Sequence, residues 1–214
     1  MNIIKEACVE NYKEAILAEQ LGANRIELCS SLNQDGLTPD KKSIKLLLTK
    51  LSIPLKIMIR PRPGNFIYNE KELVKMESDI IFCKNLGIKE VVFGVLKKDK
   101  RIDSIALNRL VDISYPMKIT FHKAIDRTDD IFSEIEKLVD CKGVNSILTS
   151  GRRRSILDNK PLVTEILENY KNKINIILSG AITNNNFDDI HKVFRWNEYH
   201  GRRIVGNLSN EEKN

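Results

Sequence analysis

Two cysteines and a few ionisable residues at alternating positions carry the chemistry this sequence offers. In Arg25-Ile26-Glu27-Leu28-Cys29, strand periodicity puts Ile26 and Leu28 on one face and Arg25, Glu27 and Cys29 on the other. An earlier run, Ile3–Val9, places Glu6 and Cys8 on a shared face, while Lys5 breaks the apolar character of the opposite one. The same alternation groups Met58 with Arg60, and Thr120 with His122. If these faces line the inside of a barrel, Glu6, Glu27, Arg60 and His122 meet there. Buried charges persist only when paired or solvated. The group is therefore either an acid–base and anion-binding site or a set of internal ion pairs. Cys8 and Cys29 end adjacent runs on that face, with Glu6 and Glu27 two residues earlier and one layer below. Neighbouring strands lie about 4.8 Å apart. Two thiolates at that spacing suit one Cu(I) ion, a soft metal that favours sulfur. The alternative is a pair of small buried apolar side chains, the usual state of a free cysteine.

Other candidates are weaker alone. His122 and His200 each end a β-rich run and fit a base, a ligand or a hydrogen-bonded core residue, whereas His191 falls on a helical stretch and is expected to be exposed. Arg60 and Arg62 flank Pro61 and would form a fork for a carboxylate or phosphate. Arg152-Arg153-Arg154 is either a solvated loop or the seat of an acidic ligand. Cys83, inside a helical stretch, and Cys141, near the end of one, read as packing residues.

The elements that must position these residues alternate regularly. β-rich runs occur at Ile3–Val9, Arg25–Cys29, Leu55–Ile59, Val91–Leu96, Met117–Phe121, Val144–Thr149, Ile174–Leu178 and Trp196–Tyr199. Between them lie seven amphipathic stretches, among them Tyr12–Leu21, closed by Gly22, and Lys42–Leu51, opened by Asp40 as N-cap. Strands alternating with helices predict a parallel sheet, and eight such units predict a compact (β/α)8 barrel. No G-x-G-x-x-G follows the first run, which argues against a doubly wound dinucleotide fold. A single barrel domain over residues 1–206 and a polar, frayed tail over 207–214 are expected. So little chain follows the eighth run that the last helix should be short or missing.

The 214 residues contain no apolar run of the roughly 18 needed for a membrane span and no signal-peptide pattern, so the cytoplasm is the expected location. Four cysteines without a C-x-x-C pair should stay reduced there. The net charge of +6 comes from scattered lysines not interleaved with aromatics, and no nucleic-acid partner is expected.

Taken in order, the segments Glu6-Ala7-Cys8-Val9, Gly22–Cys29, Gly36-Leu37-Thr38-Pro39, Met58-Ile59-Arg60-Pro61-Arg62, Val92-Phe93-Gly94, Thr120-Phe121-His122-Lys123-Ala124 with Asp126, Ile147–Gly151 and Tyr199-His200-Gly201 resemble the CutC family over residues 3–203. The resemblance implies a (β/α)8 barrel, a cytoplasmic location and a link to copper tolerance or trafficking. It implies Cu(I) binding at Cys8 and Cys29. It also makes Glu27, Arg60 and His122 the candidate catalytic residues, and Arg62, Asp126 and His200 the candidate substrate-binding residues. The chain departs from the family pattern in keeping one glycine in Ser179-Gly180-Ala181-Ile182, in Pro63 and Asn65, in Arg202 after Gly201, and in a shortened C-terminus. The expected function is copper homeostasis, with Cu(I) held in the cytosol by a cysteine pair at the barrel mouth. Two alternatives are an enzyme acting on a small anionic metabolite and an interaction protein that has kept only the fold. Expected partners are the copper ion, a small anionic ligand and, in a homo-oligomer, further copies of the chain; no membrane is expected.

Overall fold

Short β-branched runs and capped amphipathic stretches alternate along the chain, and each becomes a strand or a helix. The computed structural model describes residues 3–208. The strands are β1 Ile4–Val9, β2 Arg25–Leu28, β3 Leu55–Met58, β4 Glu90–Phe93, β5 Lys118–Phe121, β6 Val144–Thr149, β7 Asn175–Leu178 and β8 Glu198–Gly201. The helices are α1 Tyr12–Gln20, α2 Lys41–Leu48, α3 Glu70–Asn85, α4 Ser104–Ser114, α5 Ile131–Asp140, α6 Lys160–Tyr170 and α7 Phe187–Phe194. All neighbouring strands pair in parallel, and β8 returns to β1, so the sheet closes into a (β/α)8 barrel. Among the described residues no helix follows β8. None is long and apolar enough to cross a membrane.

Local signals set the boundaries. Asp40 accepts the Lys42 and Ser43 amides at 2.9 and 3.0 Å and starts α2. Asn69 and Glu72 form a reciprocal capping box at the head of α3. Gly22, at φ +91°, lets the chain leave α1 through the left-handed region. α2 stops at Leu48, short of the predicted Leu51, because the Thr49 hydroxyl returns to the Leu46 carbonyl at 2.9 Å. β4 stops at Phe93; Val95 and Leu96 are buried in the following loop, where Leu96 N–H bonds the Phe66 carbonyl at 2.8 Å. β8 begins two residues later than predicted. Trp196 lies outside the ladder, its indole N–H donating to the Ile176 carbonyl at 2.6 Å.

The helix-facing side of every strand joins one apolar core with the inward stripes of the helices. Inside the barrel, Cys8, Cys29, Met58 and Val92 make a second, smaller cluster. Lys5, out of place in the alternation, sets its ammonium 4.0 Å from the centroid of the Phe187 ring on α7, a cation–π contact. Residues 209–214 of the expected tail lie outside the described residues; Leu208 is buried in the core.

Candidate site: a thiol-floored cavity at the C-terminal face

The barrel interior is divided along its axis. Its N-terminal half holds an ion-pair network. Glu6 on β1 is fully buried and pairs with Arg25 on β2 and with Lys56 on β3, the latter at 3.1 Å. Lys56 also reaches Glu90 at 2.8 Å and donates to the Thr120 hydroxyl at 2.9 Å. Arg25 closes the ring on Glu198 of β8 at 2.6 Å. Burial alone would raise the Glu6 carboxyl, but the Lys56 and Arg25 charges outweigh it and hold Glu6 well below the usual carboxylate range. Glu6 is therefore part of a structural network, the ion-pair reading of the inward charges. Strand alternation alone could have found Lys56 and Glu198, which sit two residues before Met58 and His200 on the same strand faces.

Above the network lies the polar cluster. The strand register sets Cys8 opposite Glu27 and Glu6 opposite Arg25. Glu27 is thus level with Cys8, where alternation within each strand had put it a layer below. The two thiol sulfurs are 3.7 Å apart, and Glu27 Oε1 lies 3.7 Å from Cys8 Sγ and 3.5 Å from Cys29 Sγ. The other oxygen, Oε2, is buried without a partner. His200 reaches in from β8, its Nδ1 2.8 Å from Glu6 Oε1. Ligand atoms of Glu6, Glu27 and His200 all lie within 4.8 Å of one another, as do those of Cys8, Glu27 and Cys29.

Electrostatics distinguishes these groups. The Cys29 thiol donates toward Cys8, and this outweighs burial; with the nearby His200 it brings Cys8 down to about 6. Cys29 moves well above its ordinary value for the reciprocal reason. Burial disfavours a charged His200, yet the Glu27, Cys8 and Glu6 acidic groups hold it well above the usual histidine value. Burial pushes Glu27 up to about 8. A carboxyl raised in the folded state contributes stability that is full below its unfolded value and is lost as pH rises through about 8. Glu27→Gln should therefore stabilise the metal-free protein at pH 9 by more than about 1 kcal/mol and change little at pH 5. Urea melts at the two pH values check this; equal stabilities at pH 9 would refute it.

The remaining predicted residues separate. Arg60 is buried and clamps loops: it donates to the Gln34 and Gly36 carbonyls at 2.9 and 3.0 Å and to the Gly64 carbonyl at 3.0 Å. Arg62 points elsewhere, to Glu72 at 2.5 Å and the Ile67 carbonyl at 2.6 Å, so no Arg60–Arg62 fork forms. Asp126 accepts from Thr149 Oγ1 at 2.5 Å and from Ser150 N and Oγ, both at 2.8 Å, and thereby fixes the β6 loop. His122 caps the 3-10 turn Lys123–Arg127. Its Nδ1 accepts the Ala124 amide at 3.2 Å, its Nε2 has no partner, and burial with the Arg60 charge lowers it to about 3. Gly94 makes room for that ring, since a Cβ there would sit 2.5 Å from His122 Nδ1. His191, predicted exposed, is half-buried, with Nδ1 2.9 Å from the Tyr199 hydroxyl. Cys83 is buried in α3 and its thiol is pushed up to about 12 by burial. Cys141 ends α5, 3.7 Å from Asn108 Oδ1.

A cavity of about 760 Å³ opens above the thiol pair at the C-terminal ends of the strands. Cys8, Glu27, Cys29 and His200 lie on its lining, with Arg60, His122 and Asp126. Three 3-10 turns, Leu32–Gln34, Lys123–Arg127 and Ile156–Asn159, shape the loops around it. They are too short to show periodicity in sequence. In the β7–α7 loop Ala181 adopts φ +52°. The chain keeps a left-handed turn there without a second glycine, at about 1–2 kcal/mol.

These features define a (β/α)8 barrel with a polar, thiol-floored cavity where barrel proteins place their ligand sites. The model of the CutC family matches residues 3–205, and the chain belongs to that family. It is 36% identical over 197 residues to the human copper homeostasis protein cutC homolog, covering 92% of this chain and 72% of that one. With the CutC family protein of Enterococcus faecalis it shares 37% identity over 210 residues, 95% of this chain and 100% of the other. The crystal structure of a CutC protein from Streptococcus agalactiae superposes with a TM-score of 0.88 at 32% identity, covering 94% of this chain and 99% of that one.

Proposed function

We propose that this CutC-family protein serves copper homeostasis by binding Cu(I) in the cytosol through Cys8 and Cys29, at the floor of the barrel cavity. The observation that carries the reading is the sulfur pair at 3.7 Å, open to a cavity and flanked by the Glu27 carboxyl group at 3.5 Å. Two metal–thiolate bonds of about 2.3 Å at a trigonal angle would span about 4 Å between sulfurs. The pair thus needs little movement to accept a soft ion, and Glu27, with Oε1 at 3.7 and 3.5 Å from the two sulfurs, is close enough to complete the set. The names of the relatives, which refer to copper homeostasis, point the same way.

An anaerobic Cu(I) competition titration of the reduced protein tests this. One tight site per chain is expected, unchanged in Cys83→Ser/Cys141→Ser. If the parent protein competes no better than buffer for the probe's copper, the reading fails.

A further inference from the structure

A copper ion would fill a small part of the cavity above the thiol pair. At about 760 Å³ it falls in the range of pockets that bury small organic molecules. Its walls include Leu32, Met58, Phe66 and Leu148, which offer an apolar surface an ion does not need.

The rim carries an unbalanced charge. Lys123, Arg127, Arg153, Arg154 and Arg203 all line the cavity, and none of their side chains has a hydrogen bond or ion pair among the described residues. Other rim arginines are tied down: Arg202 to Glu10 at 3.1 Å, and Arg152 to the Thr128 and Asp129 carbonyls. Nearby acids do not offset the five. Asp126, hydrogen-bonded to the neutral Thr149 and Ser150, and Asp35 offset at most two of the five charges, and Glu27 lies at the floor. Like charges gathered around one concavity repel each other and focus a field that concentrates anions.

A second, independent observation comes from the wall. His122 is 4% exposed and lines the cavity. Because Nδ1 accepts the Ala124 amide, the ring proton is on Nε2, which has no partner. Phe66 lies against this ring, centroids 4.7 Å apart. An unsatisfied buried donor is costly, and a ligand acceptor would recover that cost.

We propose that this cavity binds a small organic oxyanion, a phosphate ester or a polycarboxylate. Arg153, Arg154 and Arg203 hold its charged group, and a neutral acceptor atom takes the Nε2–H of His122. These anchors share one cavity with the thiol pair, but none of them is among the proposed copper ligands.

Titration calorimetry at physiological salt would use inorganic phosphate, glucose 6-phosphate, citrate and a short DNA duplex as probes. One of the two organic probes should bind at least about tenfold more tightly than inorganic phosphate; which one tells the phosphate source from the carboxylate source. Arg153→Ser/Arg154→Ser, at exposed positions that leave the fold intact, should weaken it about tenfold through two lost ion pairs. The same arginine variant should keep the parent Cu(I) affinity, so that a failed copper site and a failed anion site are told apart. The proposal is overturned if neither organic probe binds better than inorganic phosphate, if the arginine variant binds like the parent, or if the duplex binds more tightly than both.

Discussion

Cys8→Ser/Cys29→Ser should weaken Cu(I) binding by at least about a thousandfold, because serine offers a hard oxygen where the ion needs soft sulfur. The two thiols are not equivalent. Cys8, brought down to about 6 by the Cys29 thiol and by His200, is the more easily ionised of the two. Cys29 keeps its proton until a metal displaces it. Each single serine variant should lose most of the affinity, since one sulfur cannot hold the ion against a competing chelator. Both side chains are small and buried, and the double variant should still fold, with a modest fall in melting temperature. The check is the competition titration run beside circular dichroism. A folded double variant that retains the parent affinity would remove the pair from the mechanism.

Glu6→Ala should destabilise the fold by about 3–5 kcal/mol, the cost of breaking a buried ion pair from one side. Glu6 is fully buried and touches Arg25, Lys56 and His200. Its loss leaves the buried Lys56 and the half-buried Arg25 with only Glu90 and Glu198. Glu6→Gln keeps the shape but not the charge, and should cost less. The sign with pH follows from the carboxyl being held well below its ordinary value. Its stabilising contribution is full above the unfolded carboxylate value and is lost as pH falls through the folded one. The advantage of the parent over Glu6→Gln should thus be complete at pH 7 and fade in strong acid. Urea melts across pH measure both effects; equal stability of parent and Glu6→Ala at pH 7 would refute the account of the network.

The strand faces were legible because alternation within one strand is local. Arg25, Glu27 and Cys29 all point inward, and a single pentapeptide is enough to show it. Register between strands was not legible. A parallel barrel climbs as it closes, so the backbone of Cys8 pairs in register with Glu27, two residues before Cys29, and no turn in the sequence fixes that offset. For the same reason Lys56 escaped notice: its partners Glu6, Glu90 and Thr120 come from three other strands. Arg62 shows the limit of loop reading. Its place beside Pro61 suggested a fork with Arg60, but Glu72 in the first turn of α3 captures it. The rim arginines follow short irregular turns, so their convergence is a property of the closed barrel and not of any one segment.

The most direct test of the copper site is X-ray absorption at the Cu K-edge on protein loaded with one equivalent of Cu(I) under anaerobic conditions. The account predicts two sulfur scatterers per copper, with at most one light atom beside them from Glu27 or His200. A copper bound only by nitrogen and oxygen, or by a single sulfur, would contradict it.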